Sequence, residues 1–320
     1  MIRRSVRIAV LDDYQGVALK ATNWSSLGPE VSVETFSDHL FDESDLVARL
    51  RGFGIVVVMR ERTALPEVVL RQLPNLRLIV TGGLANAAID MQAARDLQIT
   101  VAGTRGDAVG TVELTWGLII GSVRHIGEED RAIRAGAWQT TMGIELRGST
   151  LGVLGLGRVG EPVARIGRMF GMEVIAWSQN LTAARAHAVG VDMVPFHELL
   201  RQADVLTIHL RLSDRTRGLI GESELGLMKR SAFLVNTSRG PIVQEAALLD
   251  ALRSHRIAGA ALDVFDEEPL SSDHPLRSTE RLLLTPHLGY VTAQGYRTFF
   301  ADAVDDILSF LNGTPVRVLT

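Results

Sequence analysis

The sequence of 320 residues predicts an α/β protein built on parallel β-sheets. Short runs rich in β-branched residues alternate with longer segments of helical periodicity along the whole chain. The predicted strands are apolar nearly throughout, which is typical of parallel strands that helices cover on both faces. A glycine-rich turn at 155–160 follows one of these strands and opens a helix, which is the local context of a nucleotide-binding turn.

Each predicted element rests on its own local pattern. Short apolar and β-branched runs predict the strands, which in chain order are 6–11 (VRIAVL), 55–59 (IVVVM), 76–80 (LRLIV), 99–102 (ITVA), 150–154 (TLGVL), 173–177 (EVIAW), 204–208 (DVLTI), 232–236 (AFLVN), 258–262 (AGAAL) and 282–285 (LLLT). Helical periodicity predicts helices at 43–51, 64–72, 87–97, 160–170, 182–189, 221–228 and 245–254, with a final helix at 293–312. The apolar run at 113–123 is interpreted as a buried helix, because it is shorter than the ~18 residues of a membrane span.

The order of these elements predicts two domains. Residues 1–102 form several strand–helix units before the glycine-rich turn. About five further strands run from that turn to residue 285, which is enough for one dinucleotide-binding domain. We therefore expect a nucleotide-binding domain at 103–289, inserted into an outer substrate domain made of 1–102 and 290–320.

Composition excludes several classes of function. Hydrophobic residues make up 46% and charged residues 22% of the chain, as in globular proteins, and the net charge of −4 comes without a basic run. We therefore expect no nucleic-acid partner and no membrane span. The absence of cysteine excludes disulfides, thiol catalysis and cysteine-ligated metals. No metal site is predicted, and a cytoplasmic location is expected.

The turn at 155–160 predicts where a dinucleotide binds. Gly155 permits the tight turn, Gly157 removes the side chain that would block a pyrophosphate, and Gly160 lets helix and strand pack closely. The helix that follows presents free N–H groups and a positive dipole end to the phosphates. The alternative is that these glycines only shape a strand–helix turn. The loop residues predicted to bind the cofactor are Gly155, Leu156, Gly157, Arg158, Val159 and Gly160.

The next strand ends without the acidic residue that usually binds a ribose. Counting ~20 residues on from Gly155 reaches Ser178. A serine neither accepts both ribose hydroxyls nor repels a 2′-phosphate. The predicted cofactor is therefore NAD or NADP, with a slight preference for NADP. Arg158, Arg185 and Arg211 are candidate partners of a 2′-phosphate, and the alternative for each is a solvated surface residue.

Three later segments place polar residues just beyond predicted strands, at the edge where α/β proteins bind ligands. Arg239 follows the strand that ends at Asn236, Asp263 ends the next strand, and His287 follows the last one. An arginine can bind a carboxylate through two hydrogen bonds, and a histidine can transfer a proton near neutral pH. A glutamate beside that histidine, for which Glu267 and Glu268 are both candidates, would favour the imidazolium and orient the ring. Together with a nicotinamide, these groups would reduce a 2-oxo acid.

Four motifs, GLGRVG, NTSRGPIV, LDVFDEEP and TPHLG, in this order and spacing resemble those of the D-isomer-specific 2-hydroxyacid dehydrogenase family. The resemblance implies two Rossmann-like parallel-sheet domains, with the nucleotide-binding domain inserted into a flavodoxin-like substrate domain. It also implies hydride transfer between NAD(P) and a small 2-hydroxy or 2-oxo acid. It assigns substrate binding to Arg239 and acid/base catalysis to His287, with Glu268 as its partner. Asp263 would hold the nicotinamide carboxamide.

Further positions carry over from the same resemblance. Gly82 and Gly83 lie in the segment whose backbone N–H groups hold the substrate carboxylate, and they join Arg239 and His287 as substrate-binding residues. Outside the glycine loop, the positions implied for cofactor binding are Thr111, Ser178, His209, Thr237 and Asp263. The segment 134–139 is similar to a dimer contact, which implies a homodimer with Trp138 as an interface anchor.

The sequence leaves the identity of the acid open. Arg60 and Arg62 lie two apart after a strand and are able to face one side. The similar segment of phosphoglycerate dehydrogenases lies near the substrate phosphate, so Arg60 is a candidate substrate-binding residue; the alternative is a surface charge. Tyr290 stands where a small residue is common and would narrow or reshape the pocket. Two alternatives to a dehydrogenase of a small 2-hydroxy acid stay open. One is a phosphoglycerate dehydrogenase proper, and the other is a nucleotide-sensing binding protein like the family's transcriptional corepressors.

Overall fold

The structure, a computed structural model, describes residues 6–320. Its twelve strands form two sheets, and every pair of neighbouring strands runs parallel. The chain divides into two compact units: unit 1 contains Met1–Asp107 and Thr292–Thr320, and unit 2 contains Ala108–Val291. The α/β class predicted from the sequence is confirmed. The assignment of a substrate role to unit 1 and a nucleotide role to unit 2 stays a prediction.

Unit 1 is built on a five-stranded sheet with the order β2-β1-β3-β4-β5. Its first elements are β1 (Val6–Val10), α1 (Ala18–Ala21), β2 (Val31–Thr35), α2 (Glu43–Leu50), β3 (Ile55–Val58), α3 (Glu67–Leu70), β4 (Leu78–Thr81), α4 (Met91–Asp96) and β5 (Thr100–Gly103). This order is the one found in flavodoxin-like sheets, in which the strand order reverses between the first and third strands.

Unit 2 is built on a seven-stranded sheet with the order β12-β11-β10-β9-β6-β7-β8. Its elements are α5 (Val109–Val123), α6 (Ile126–Arg134), β6 (Thr150–Leu154), α7 (Gly160–Met169), β7 (Glu173–Trp177), α8 (Ala183–Ala188), β8 (Asp192–Met193), α9 (Phe196–Gln202), β9 (Val205–Ile208), α10 (Glu222–Leu227), β10 (Phe233–Asn236), α11 (Glu245–Arg253), β11 (Gly259–Leu262) and β12 (Leu282–Leu284). The strand order reverses at β6, which pairs with β7 on one side and β9 on the other. Ligands of such sheets bind outside the carboxyl ends of the strands at this reversal.

The last helix, α12 (Ala293–Leu311), belongs to unit 1, where it packs against β4 and α1. Charged side chains join it to the C-terminal segment and to Arg105, two residues after β5. Arg317 Nε donates to Asp306 Oδ1 at 2.8 Å, and Arg105 Nη2 lies 2.7 Å from Asp302 Oδ1. Asp306 is 1% exposed, its Oδ2 has no hydrogen-bond partner within residues 6–320, and burial raises its pKa to about 7.

Both sheets are covered on their two faces, as the apolar strand sequences predict. In unit 2, the neighbouring residues Val153 and Leu154 of β6 enter separate buried clusters, because successive side chains of a strand point to opposite faces. β1, β3, β4 and β5 of unit 1 are buried in the same way along most of their length. No helix in the described part of the chain is long and apolar enough to cross a membrane.

The differences from the predicted elements have local causes. β2 was not predicted, because it is an edge strand whose alternating sequence has no continuous apolar run. The helix predicted at 64–72 begins only at Glu67, since Leu65 precedes a proline, takes an extended conformation and pairs with Ile89. The helix predicted at 87–97 begins at Met91, because the side chain of Asp90 accepts the N–H of Ala93 and caps it.

Candidate active site

The loops after the strands of unit 2 carry most of the predicted site residues. Because the paired strands are parallel, their carboxyl ends share one edge of the sheet. The glycine loop follows β6 at this edge, and further loops follow β10, β11 and β12. The fold therefore brings to one edge the motifs that lie more than 100 residues apart in the sequence.

His287 and Glu268 form a hydrogen-bonded pair at this edge. His287 Nδ1 lies 2.6 Å from Glu268 Oε2, and the two side chains are 15% and 21% exposed. The other carboxylate oxygen of Glu268 accepts the N–H of Phe265 at 2.9 Å, which fixes the plane of the carboxylate. A carboxylate at Nδ1 orients the imidazole and leaves Nε2 for another partner. The pair thus has the geometry of a general acid/base with its orienting group.

Asp263 holds the loop that carries His287. Its carboxylate, 1% exposed, accepts the hydroxyl of Thr285 at 2.7 Å and the N–H groups of Leu288 and Gly289 at 2.6 and 2.9 Å. These bonds brace a loop in which His287 adopts a left-handed backbone with φ of 53°, which non-glycine residues rarely adopt. Burial raises the pKa of Asp263. Asp263 therefore shapes the loop that carries His287, and its predicted contact with the nicotinamide stays a prediction.

Arg239 lies in a turn whose backbone is hydrogen-bonded to the buried side chain of Asn236. Asn236 Nδ2 donates to the carbonyl of Arg239 at 2.9 Å, and its Oδ1 accepts the N–H of Ser238 at 3.0 Å. The next residue, Gly240, lies against the loop after β11: a Cβ there would be 2.1 Å from the carbonyl carbon of Phe265 and 2.2 Å from its oxygen. Only glycine lets the Arg239 loop approach the Glu268 loop this closely.

Threonines connect α5 to two of these loops. Thr111 Oγ1 donates to the carbonyl of Gly289 at 3.1 Å. The buried Thr115 donates to the carbonyl of Thr111 at 2.7 Å, and its hydroxyl lies 2.9 Å from that of Thr237. Thr111 and Thr237, both predicted to contact the cofactor, are therefore joined through Thr115. Sequence reasoning missed Thr115, although its position four residues after Thr111 puts both on one helix face.

The glycine loop fits a dinucleotide. Gly155 has φ of 107°, and a Cβ there would lie 2.6 Å from the carbonyl oxygen of His209. A Cβ on Gly160 would lie 2.0 Å from the carbonyl oxygen of Gly155, so both glycines are required by the fold itself. At Gly157, in contrast, a Cβ would meet no protein atom within 4 Å. The open space beside Gly157 suits a pyrophosphate at the N-terminus of α7.

Ser178 lies beside this loop at the end of β7. Its Oγ accepts the N–H of Leu156 at 2.9 Å, so the hydroxyl is fixed against the glycine loop where an acidic side chain usually stands. Arg158, Arg185 and Arg211 are all exposed. Neither Arg185 nor Arg211 forms an ion pair with any residue between 6 and 320. Position 178 thus carries a hydroxyl and not the carboxylate that would repel a 2′-phosphate.

His209 lies on the other side of the glycine loop. Its ring nitrogen Nε2 is 2.9 Å from the hydroxyl of Thr207. Burial lowers the pKa of His209 to about 3, so the ring is neutral near pH 7. The backbone of His209 packs directly against Gly155, since a Cβ on Gly155 would lie 2.6 Å from the carbonyl oxygen of His209.

In unit 1, the predicted substrate loop follows β4. The N–H of Gly82 donates to a carbonyl of β3 at 3.4 Å, and that of Gly83 donates to Thr104 Oγ1 at 3.2 Å. The two N–H groups predicted to hold a carboxylate therefore have internal acceptors. The N–H groups of Leu84 and Ala85, both exposed, have no acceptor within the described residues. The free donors thus lie at the tip of the loop, directly after the predicted pair.

Arg60 and Arg62 have different surroundings. Arg62 is 9% exposed, donates to the carbonyl of Asp12 at 3.2 Å and lies 4.7 Å from the ring centre of Tyr14, a cation–π contact. Arg60 is half-buried, and its carbonyl accepts Asn86 Nδ2 at 2.6 Å. Arg62 is therefore part of the interior of unit 1, and the substrate role of Arg60 stays a prediction.

An exposed apolar surface lies on α6 and the segment after it. Ile126 and Ile133 are each 53% exposed, Trp138 is 75% exposed and Met142 is 91% exposed. Ile126, Ile133 and Trp138 line a cavity of about 520 Å³. Large apolar side chains clustered in this way usually mark a protein interface.

The chain is similar to known proteins in both sequence and structure. Residues 116–289, more than half of the chain, match the family model "D-isomer specific 2-hydroxyacid dehydrogenase, NAD binding domain". Over 254 residues the chain is 42% identical to a glyoxylate reductase of Aeropyrum pernix, covering 76% of each protein. It is 36% identical to a D-3-phosphoglycerate dehydrogenase of Archaeoglobus fulgidus, covering 91% of this chain but 55% of that protein.

A solved structure shares both units. The crystal structure of a phosphoglycerate oxidoreductase from Vibrio cholerae o395 superposes with a TM-score of 0.92 at 35% identity, covering 96% of this chain and 99% of the other. The residues that match the family model, 116–289, include the glycine loop and the later strand-end motifs. The chain belongs to the D-isomer specific 2-hydroxyacid dehydrogenase family, whose members are oxidoreductases that act on a CH–OH group with NAD(P).

Proposed function

We propose that the chain reduces a small 2-oxo acid with NAD(P)H and oxidises the corresponding D-2-hydroxy acid in the reverse direction. The observation that carries this proposal is the 2.6 Å contact between His287 Nδ1 and Glu268 Oε2 at the sheet edge of unit 2. The same edge bears the glycine loop, which suits a dinucleotide. The relatives named glyoxylate reductase and phosphoglycerate dehydrogenase support a substrate of this class.

In the proposed mechanism, Arg239 binds the carboxylate and carbonyl of the substrate, and His287 moves the proton. Because Glu268 holds Nδ1, the proton passes from His287 Nε2 to the carbonyl oxygen during reduction and returns to Nε2 during oxidation. Glu268 stabilises the imidazolium before the proton leaves. Arg239 stabilises the negative charge that develops on the oxygen. When bound, the nicotinamide supplies or accepts the hydride.

For the substrate carboxylate, we propose backbone donors in the loop after β4. Gly82 and Gly83 were predicted for this role, and the free N–H groups of Leu84 and Ala85 extend it. Consecutive N–H groups at a loop tip form a concave anion site. Arg60 would bind a group at the far end of the acid.

For the cofactor, we propose that the chain accepts NADP as well as NAD, with a slight preference for NADP. The support is the serine hydroxyl at the end of β7 and the two exposed arginines, Arg185 and Arg211, without an ion-pair partner in the described chain. The residues proposed to hold the cofactor are Thr111, Gly155, Leu156, Gly157, Arg158, Val159, Gly160, Ser178, His209, Thr237 and Asp263.

A second candidate function is that of a phosphoglycerate dehydrogenase proper. The half-buried Arg60 favours an acid with an anionic group on its third carbon. The similarity to the protein of Archaeoglobus fulgidus that is named D-3-phosphoglycerate dehydrogenase supports the same class of acid. Comparing hydroxypyruvate with 3-phosphohydroxypyruvate separates the two candidates. A preference for the phosphorylated acid that disappears in Arg60→Gln would establish the second.

We also propose a homodimer in the cytoplasm. The apolar surface formed by Ile126, Ile133, Trp138 and Met142 suits a second copy of the chain, since Trp138 is a large, exposed anchor in the segment predicted to make the dimer contact. The absence of cysteine is compatible with a reducing compartment. Sedimentation of the purified protein distinguishes a dimer from a monomer.

A panel of 2-oxo acids, measured with NADH and with NADPH by absorbance, tests the proposed reaction. His287→Ala should lower kcat by about 10²–10⁴-fold, the usual contribution of a general acid, while cofactor binding in a fluorescence titration stays unchanged. His187→Ala, at an exposed histidine of the same unit, is the matched control. Undiminished turnover in His287→Ala would refute the mechanism, and no turnover of any acid by the unchanged protein would favour a nucleotide-sensing protein.

A further inference from the structure

We propose that Asn86 is a positioning residue that fixes the spacing between two substrate-binding segments of unit 1. One segment is the end of β3 with Arg60, and the other is the loop from Thr81 to Asn86, whose tip carries the free N–H groups. The inference rests on the proposed function, because it takes both segments to bind the acid. Neither sequence pattern nor family motif pointed to Asn86.

The side-chain amide of Asn86 is buried and fully used. Asn86 is 7% exposed. Its two amide hydrogens are donated to the carbonyl of Arg60 at 2.6 Å and to Thr81 Oγ1 at 2.8 Å. Its Oδ1 accepts the N–H of Ala88 at 2.8 Å. One planar group thus joins the end of β3 to both ends of the loop after β4.

The loop is held at its base and open at its tip. Thr104, the residue after β5, supports it: its N–H donates to the carbonyl of Thr81 at 3.0 Å, and its hydroxyl accepts the N–H of Gly83. At the tip, Leu84 is 64% exposed, and its N–H and that of Ala85 have no acceptor in residues 6–320. A rigid base with free donors at its tip is a preorganised anion site, which binds without first ordering the loop.

Arg60 needs this support because of its own backbone. Its φ is 53°, in the left-handed region that a long side chain seldom occupies. The hydrogen bond from Asn86 to the Arg60 carbonyl holds this conformation and so fixes where the Arg60 side chain starts. Of the side chains of this size, only an amide offers two donors and an acceptor in one plane. An aspartate keeps the shape but offers the Arg60 carbonyl no donor when ionised.

The chain offers a matched control in the same unit. Asn75 Nδ2 donates to the carbonyl of Arg51 at 2.9 Å, a bond of the same kind, but on an exposed surface before β4 and not in the loop after it. Asn75→Asp therefore makes the same chemical change without touching either proposed segment.

The test compares Asn86→Asp with Asn75→Asp on the best 2-oxo acid of the panel. We expect KM for the acid to rise about tenfold in Asn86→Asp, the effect of losing a buried hydrogen bond, with kcat and NADPH affinity nearly unchanged. Asn75→Asp should leave all three unchanged. The KM of Asn86→Asp should also fall toward the wild-type value as the pH is lowered, because a protonated carboxyl regains one donor for the Arg60 carbonyl.

The outcomes separate this inference from the proposed function. Wild-type turnover together with an unchanged KM in Asn86→Asp would overturn the inference alone. A wild-type protein that reduces no acid would overturn the proposed function and the inference with it. If Asn86→Asp does not fold, Thr81→Val replaces it: loss of one acceptor of the Asn86 amide should raise KM in the same direction, and an unchanged KM would again overturn the inference.

Discussion

Gly240→Ala tests whether the close approach of two loops positions the catalytic groups. Gly240 directly follows Arg239, and a Cβ there would lie 2.1 Å from the carbonyl carbon of Phe265 and 2.6 Å from the N of Asp266. These are backbone atoms, which cannot rotate away as the end of a flexible side chain could. The alanine therefore forces the loop after β10 away from the loop that leads to Glu268.

The size of the displacement follows from the contact distance. A Cβ rarely comes closer than about 3.0 Å to another heavy atom, so the two loops must separate by roughly 1 Å. A misplacement of about 1 Å in an active site can cost about 100-fold in rate, or ~2.7 kcal/mol. We therefore expect kcat/KM of Gly240→Ala to fall about 100-fold for the 2-oxo acid.

Steady-state kinetics, fluorescence titration of NADPH and thermal unfolding together check this prediction. Cofactor affinity should fall much less than kcat/KM, because the glycine loop after β6 is a separate segment, although Thr237 and Asp263 lie on the two displaced loops. Gly117→Ala is the control: Gly117 is an exposed residue of α5 where a Cβ meets no atom within 4 Å, so the alanine should leave activity unchanged and stabilise the helix by ~0.5–1 kcal/mol. A folded Gly240→Ala protein with wild-type kcat/KM would refute the reasoning.

Two further predictions concern the cofactor and the stability of unit 1. Ser178→Asp should lower the ratio of NADPH to NADH activity by about tenfold or more, because a carboxylate repels the 2′-phosphate and accepts the ribose hydroxyls; an unchanged ratio would mean that Ser178 does not face the ribose. For Asp306, whose pKa lies at about 7 in the folded protein against an ordinary 3.8, the folded state retains a proton that the unfolded chain has released, so stability is lost as the pH rises through this window. The unfolding free energy of Asp306→Asn minus that of the wild type should therefore increase by about 2 kcal/mol from pH 5 to pH 8, measured by urea denaturation. The same difference at both pH values would contradict burial as the cause of the raised pKa.

Much of the fold could be predicted because buried parallel strands have a strong sequence signal. The apolar run of β3 and the glycine turn after β6 are both local patterns, and each corresponds to one structural element. The edge strand β2 lacks such a run. It pairs with β1 alone, and its residues alternate between half-buried and exposed. The start of α3 was misjudged because the effect of Pro66 on Leu65 outweighs helical periodicity.

The candidate site was predictable only in part. Arg239, Glu268 and His287 could be predicted as one group because each lies in a loop that follows a strand, and parallel strands bring their ends to one edge. The roles of Asn86 and Thr115 could not, because each depends on a segment that approaches in three dimensions. Asn86 is defined by the carbonyl of Arg60, 26 residues away, and Thr115 by the hydroxyl of Thr237, 122 residues away.

The insertion of unit 2 into unit 1 has a consequence for folding. Unit 1 can bring α12 onto β4 only after closing a loop of about 180 residues, and if that loop were a flexible chain its closure would cost about 4–5 kcal/mol of entropy. In the folded unit 2, however, the hydrogen bond between Thr111 Oγ1 and the carbonyl of Gly289 keeps the two ends of the insertion together. The entropy cost of bringing the two halves of unit 1 together is then that of a short connection, because the ends of the folded insertion already lie close to each other. We therefore expect the halves of unit 1 to assemble most readily once unit 2 has formed, and unfolding of unit 2 to destabilise unit 1.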